Sequence, residues 1–207
     1  MTEMSFAVRP ATPTDPADAL LYASAKPYYD AYAGSEERAR GLLAAVYRRP
    51  GHAASFDVCR VAEVDGEIAG VIAWFPVAEG DERARKFVSL TAPRVPPWRW
   101  PALLRHLRAA GLVSPNPPLG TLYVDALAVA PGFRRQGVAR ALLRVAEQAA
   151  EASGFGGVTL DTGLLNEPAR ALYEGAGYHE REVRRAPSEQ IAEAIGGPGF
   201  VGYFKPL

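Results

Sequence analysis

Val124-Asp125-Ala126-Leu127-Ala128-Val129-Ala130-Pro131-Gly132-Phe133-Arg134-Arg135-Gln136-Gly137-Val138-Ala139-Arg140-Ala141-Leu142-Leu143 is the stretch on which the fold turns. A β-rich run, Thr121 to Val129, meets a Pro-Gly turn, and a helix then opens at Gly137 and runs to Ser153. Leu142, Leu143, Ala146 and Ala149/Ala150 mark its apolar face. The first turn of a helix carries unpaired N–H groups and a partial positive charge, so it receives anions. Gly137 leaves the backbone free of a Cβ where a phosphate would approach, and Arg134, Arg135 and Arg140 add positive charge around it. These features point to a phosphate or pyrophosphate site. Gly132 and Gly137 have the spacing of a nucleotide P-loop, but Val138 and Ala139 stand where its lysine and Ser/Thr belong. Nothing then holds a γ-phosphate or its magnesium, which argues against ATP or GTP hydrolysis. The dinucleotide Gly-x-Gly-x-x-Gly pattern is absent after this strand as well.

Outward from this unit, Gly154 stops the helix, Val158–Thr162 reads as the next strand, and Asn166 caps a short helix over Glu167–Glu174. Tyr178–Val183 and Phe200–Lys205 close the chain as strands. A strand, helix, strand succession joins two parallel neighbours by a right-handed crossover. On the N-terminal side, Phe6–Val8 is a short strand ending at Arg9-Pro10, and a helix from Asp18 is interrupted near Pro27. A second helix, capped by Ser35, runs to about Arg49. Phe56–Val64 and Ile68–Val77 form a hairpin about Asp65-Gly66. The proline-rich segment 93–118, with Trp98, Trp100 and a short helix around Ala102–Ala110, reads as an insertion over the surface. The expectation is a single α/β domain over residues 1–207.

Composition narrows the function classes. Lys plus Arg equals Asp plus Glu at 23 each, so the basic excess of a nucleic-acid surface is missing. No apolar run approaches the roughly 20 residues that span a bilayer, and Met1–Val8 lacks the charged and apolar regions of a secretory leader. With one cysteine, Cys59, no internal disulfide forms. The expected location is cytoplasmic, with no nucleic-acid or membrane partner. His52, His106 and His179 are scattered without ligand spacing, so no metal site is expected. Cys59 lies inside a strand and reads as core.

Arg134-x-x-Gly137-x-Ala139 resembles the Arg/Gln-x-x-Gly-x-Gly/Ala loop of the GNAT (Gcn5-related N-acetyltransferase) superfamily, which grips the pyrophosphate of acyl-CoA. Asn166-x-x-Ala169-x-x-x-Tyr173-x-x-x-Gly177-Tyr178 resembles that family's Asn-x-x-Ala-x-x-x-Tyr-x-x-x-Gly-Phe/Tyr segment. The two occur in the family's order, and the close likeness covers Thr121–Tyr178. The resemblance implies a mixed, mostly antiparallel sheet flanked by helices, with a parallel βαβ core carrying the loop. It implies acetyl-CoA as co-substrate. Leu127, Ala128 and Val129 then pair with the pantetheine arm, Arg134, Arg135, Gln136, Gly137, Val138, Ala139 and Arg140 hold the pyrophosphate, and Asn166 touches the arm. It implies transfer of an acetyl group to an amine of a small molecule, peptide or protein, by a monomer or homodimer.

Tyr173 matches the residue that protonates the departing thiolate in the family; read bare, it is as well a core aromatic. Asp125 and Asp161 are acids in otherwise apolar strands, which suits a base or an amine-binding group, or equally a partner for a nearby arginine. Asp125 is the stronger candidate, sharing the alternation of Tyr123, Leu127 and Val129 in a regular strand. Tyr28, Tyr29, Tyr32, Trp98 and Trp100 fall in zones that line the acceptor pocket in the family, or they simply pack. With no cysteine–histidine pair in view, direct attack is favoured over an acyl-enzyme. The rival reading is a GNAT-like module that binds acyl-CoA and catalyses nothing.

Overall fold

The computed structural model describes residues 6–207, so part of the leader reading, on residues 1–5, lies outside the described residues. Strand β1 (Ala7–Pro10) lies on a sheet edge, where the missing N–H of Pro10 breaks no inner ladder. Helices α1 (Asp18–Ser24) and α2 (Lys26–Ala33) part at Ala25, and Pro27 sits in the first turn of α2. There its lack of an N–H is harmless, so it starts a helix where the sequence suggested an interruption. Helix α3 (Glu36–Val46) is capped by the Ser35 hydroxyl, which accepts from the Arg38 N–H at 3.3 Å. Strands β2 (Cys59–Val64) and β3 (Glu67–Pro76) form the expected hairpin. Asp65 and Gly66 both take positive φ, the geometry that matches strand twist in a two-residue turn.

Helix α4 (Gly80–Thr91) was not anticipated, because five of its first seven residues are charged and only Thr91 is fully buried. Helix α5 (Trp100–Val113) is longer than expected from the sequence. The 93–118 segment is only partly a surface cover: Leu103, His106, Ala109, Ala110 and Val113 form a buried stripe at helical spacing. Trp98 and Trp100 remain 77 % and 50 % exposed. Then follow β4 (Leu122–Val129), α6 (Val138–Ala152), β5 (Gly157–Gly163), α7 (Glu167–Gly175) and β6 (His179–Arg185). A second unforeseen helix, α8 (Glu189–Ile195), precedes β7 (Gly199–Pro206).

The seven strands order as β1-β2-β3-β4-β5-β7-β6, antiparallel throughout except for the parallel pair β4–β5. This is the expected mixed, mostly antiparallel sheet. On one face α6 sets Leu142, Leu143, Ala146 and Ala150 against Ile72, Val124 and Leu160. On the other, α1 and α3 set Leu21, Leu42 and Leu43 against Val61, Val71 and Ala73. A smaller cluster joins α5 to Ile195 of α8, and the His106 Nδ1–H donates to the Ala194 carbonyl at 2.7 Å.

Candidate active site

The parallel pair is short. Leu122, Tyr123 and Val124 pair with Val158, Thr159 and Leu160, and there the β4–β5 ladder ends although β4 continues to Val129 and β5 to Gly163. Beyond Val124 and Leu160 the two strands therefore present unpaired edges to each other. A β-bulge lies at the same point: Ala73 of β3 faces Ala126, while Trp74 faces Val124, so Asp125 is the extra residue. The bulge overturns the regular alternation expected for β4. Leu127 and Val129 pack with the α6 side of the sheet, whereas Tyr123, Ala126 and Ala128 pack with the opposite side. Asp125 thus does not share a face with Leu127; it is turned out at the start of the split.

A cavity of about 430 Å³ opens along the split. Asp125 and Leu127 of β4, Asp161 of β5, Asn166 and Tyr173 line it, and Tyr28 of α2 and the 196–200 loop close its other side. The structure thus brings together two carboxylates from neighbouring strands. Burial pushes the Asp125 carboxyl up to about 7, and the negative charge of Asp161 adds to the shift. No arginine pairs with Asp125 among the described residues, so the ion-pair reading of this acid is excluded. Asp161 is also raised by burial, but the Tyr123 hydroxyl donates to its Oδ2 at 2.6 Å and holds the shift back. Both carboxyls are raised by burial, and of the two only Asp161 has a hydrogen-bond donor that favours its charged form among the described residues.

Asn166 caps α7 as read from the sequence, its side-chain oxygen accepting from the Ala169 N–H at 3.4 Å, and this cap sets α7 at the cavity wall. Tyr173 is 6 % exposed, with its ring 5.7 Å from that of Tyr203. Its hydroxyl has no hydrogen-bond partner among the described residues, although it borders the cavity. Burial, and then the charge of Asp161, raise this phenol well above its ordinary range, so it keeps its proton. Tyr173 is therefore both a packed aromatic and a protonated donor facing the cavity.

The Arg134–Arg140 segment lies outside the cavity lining, at the start of α6. No side chain caps this helix, and its N-cap is Gly137 at φ 84°, so the first-turn N–H groups remain free. A Cβ at Gly137 would meet no protein atom within 4 Å, so the demand for glycine comes from backbone conformation and not from crowding by the protein. Arg135 also takes a left-handed φ of 63°, unusual for a side chain of its size. The Arg134 guanidinium donates to the Val129 carbonyl at 3.1 Å, and the Gln136 side-chain amide to the Gly132 carbonyl at 2.9 Å, which ties the loop back to β4. Arg140 donates to the Gly175 carbonyl at 3.2 Å and links α6 to α7. Arg134, Arg135, Gln136, Gly137 and Arg140 are exposed, Ala139 is half-buried, and Val138 anchors the helix in the core. An uncapped helix start ringed by exposed arginines, beside two open strand edges, fits an extended ligand that carries a pyrophosphate at one end.

Of the five aromatic residues expected near an acceptor pocket, Tyr28 alone reaches the cavity. Tyr29 and Tyr32 pack against Phe87, at 6.4 and 5.7 Å between ring centroids, and Trp98 and Trp100 do not line it. Cys59 is fully buried, its thiol donating to the Ser55 carbonyl at 3.2 Å, with burial pushing it far above the usual thiol range. No group of His, Cys, Asp and Glu able to hold a metal occurs among the described residues, and no helix there is long and apolar enough to cross a membrane. The Gly196-Gly197-Pro198-Gly199 wall was missed in the sequence, although such a cluster is a strong loop signal. The role of Tyr123 was missed because it acts on a residue of another strand.

Two acetyltransferase crystal structures share this architecture. One, an N-acetyltransferase from Staphylococcus aureus Mu50, superposes with a TM-score of 0.69 at 15 % identity, over 96 % of this chain and 100 % of that one. The other, described only as an acetyltransferase, gives 0.68 at 20 % identity, over 97 % and 98 %. At such identities the likeness speaks for the fold. A probable N-acetyltransferase, family 8 member 5, of Mus musculus is 37 % identical over 70 residues, which is 33 % of this chain and 31 % of that protein. The match spans about a third of that relative. Residues 19–178 match the family model for the acetyltransferase (GNAT) family, a range that takes in the split strands, the loop and the cavity lining apart from its 195–200 wall. The chain belongs to the acetyltransferase (GNAT) family.

Proposed function

We propose that the protein is an acetyl-CoA-dependent N-acetyltransferase that works by direct transfer in a ternary complex. The observation that carries this reading is the cavity at the β4–β5 split, where a raised carboxyl, a second carboxyl and a protonated, unpartnered phenol converge. Acetyl-CoA supplies the acetyl group: the amine nitrogen bonds to the carbonyl carbon, the carbon–sulfur bond breaks, and coenzyme A departs as the thiol. The free N–H groups of Val138, Ala139 and Arg140, with Arg134 and Arg135, hold the pyrophosphate, and the free edge of Leu127–Val129 receives the pantetheine arm. Asp125 takes the proton that the attacking ammonium must lose, directly or through water. An alkylamine of pKa about 10.4 is almost wholly protonated at neutral pH, so such a base contributes substantially to the rate. Tyr173 gives its proton to the leaving sulfur.

Release of coenzyme A thiol from acetyl-CoA, followed across a panel of amines, tests the reading. Amine-dependent release that is lost in Asp125→Asn supports it. Tight coenzyme A binding with no release for any amine would instead identify a binding module.

A further inference from the structure

The charged groups bordering the cavity are Asp125, Asp161 and Lys26. Lys26 is already engaged: its ammonium donates to Asp30 at 3.0 Å, to Glu36 at 2.5 Å and to the Tyr22 hydroxyl at 2.7 Å. No arginine lies in the lining. An entering anion therefore meets two acidic side chains and no free cation, in walls that include Ala23, Ala25, Leu164, Ile195 and Phe200. Taking a carboxylate into such a place without a partner is strongly unfavourable. A cation finds the opposite. Asp161 is the better of the two acids to hold it, because the Tyr123 hydroxyl already supports its charged form. Asp125, with no hydrogen-bond donor of its own among the described residues, is left to exchange a proton. Tyr173, a residue 6 % exposed whose hydroxyl has no partner among the described residues, lines the same space and marks it as a place for a ligand.

Size is limited as well. Gly196 packs directly on α2, and a Cβ there would stand 2.2 Å from the Pro27 carbonyl oxygen, so the wall over the carboxylates is closed by backbone contact. The whole cavity of about 430 Å³ must also take the acyl end of the donor.

Resting on the transfer reading above, we infer that the acceptor is a small primary amine on an uncharged, largely apolar stem, held as its ammonium by Asp161, and that the site rejects amines bearing a carboxylate beside the nitrogen. Free α-amino acids are thus excluded by charge and not by bulk.

Matched acceptors test this: 2-phenylethylamine, phenylalanine and phenylalanine methyl ester, and likewise tyramine, tyrosine and tyrosine methyl ester. Each is assayed for thiol release with acetyl-CoA, and for its effect on the melting temperature of the coenzyme A complex. The amines and esters should be turned over at least about 100-fold better, in kcat/KM, than the amino acids, and should alone raise the melting temperature. Asp161→Asn should raise the KM for the amine at least about 10-fold while leaving coenzyme A affinity unchanged. Equal turnover of phenylalanine and 2-phenylethylamine overturns the inference and leaves the transfer reading standing. Esters as poor as the amino acids overturn it too, since bulk would then be the cause. Selective melting shifts without any turnover would uphold the selectivity and overturn the transfer reading.

Discussion

Replacing Asp125 by asparagine should make the folded protein more stable, and increasingly so as the pH rises. In the fold this carboxyl keeps its proton up to about 7, against an ordinary 3.8. The neutral acid and the asparagine amide are nearly equal in size and charge, so the gain is the removal of a charge that the cavity disfavours. Below about pH 4 both folded and unfolded forms are protonated and the two proteins should match. Between about pH 4 and pH 7 the unfolded chain ionises while the folded one does not, so the penalty on wild type grows; above about pH 7 it is fully present. Three pK units at about 1.4 kcal/mol each give a ceiling of roughly 4 kcal/mol, and water reaching the carboxyl through the cavity leaves about 2 kcal/mol. For a chain of this size that is about 4–8 °C in melting temperature. Thermal unfolding of both proteins without ligand, from pH 5 to pH 8.5, measures it. A difference that stays flat with pH, or a variant less stable throughout, would refute the idea that Asp125 is held in a desolvated site. The same substitution should lower kcat/KM about 100- to 10,000-fold near neutrality and recover in part at high pH, where the amine loses its proton unaided.

Other outcomes follow from the same geometry. Tyr173→Phe removes a hydroxyl without a partner and leaves the packed ring, so stability and coenzyme A affinity should hold while turnover falls about 10- to 1,000-fold; full activity would remove its role as acid. Gly137→Ala should cost about 1 kcal/mol of stability through its positive φ alone, so any further loss in the coenzyme A-dependent melting shift reports crowding of the ligand. Coenzyme A at 100 times its dissociation constant should stabilise the protein by about 2.7 kcal/mol, and ATP with magnesium should do far less. A larger shift with ATP would mean that the α6 start serves another phosphate compound.

The elements that could be read from the sequence are those fixed by local chemistry. The Asp65-Gly66 turn, the Ser35 and Asn166 caps and the apolar stripe of α6 all specify themselves within a few residues. The loop before α6 was readable for the same reason, as a strand, a turn and an uncapped helix in succession. Helix α4 escaped because its inward side offers little besides Phe87 and Thr91, too weak a periodic signal among its charges. Helix α8 is only one side of a small cluster, though Ser188 before it and Gly196 after it were sufficient stop and start signals. The stripe of α5 is built from alanines and a histidine as much as from leucines, which hides it from a hydrophobic reading. Asp125 and Asp161 were visible as acids in apolar strands, but their sharing of one cavity depends on where the ladder ends. That ending, and the bulge that turns Asp125 out, are defined by how β4 pairs with β3 and β5, strands remote in sequence.

The early end of the β4–β5 ladder leaves an uncovered strand border in the middle of a sheet. Proteins usually keep such borders at the outside and guard them with charge, proline or a covering helix, because a bare one recruits foreign strands. Here one outer border, β1, ends in Pro10, while the inner one is walled by α7, α2 and the 196–200 loop. A polypeptide strand brings side chains on both faces, and these walls leave about 430 Å³ between them. Under the proposed function the gap serves as a template for a slender, amide-bearing imitation of its missing neighbour, which would turn a vulnerability to aggregation into a means of recognition.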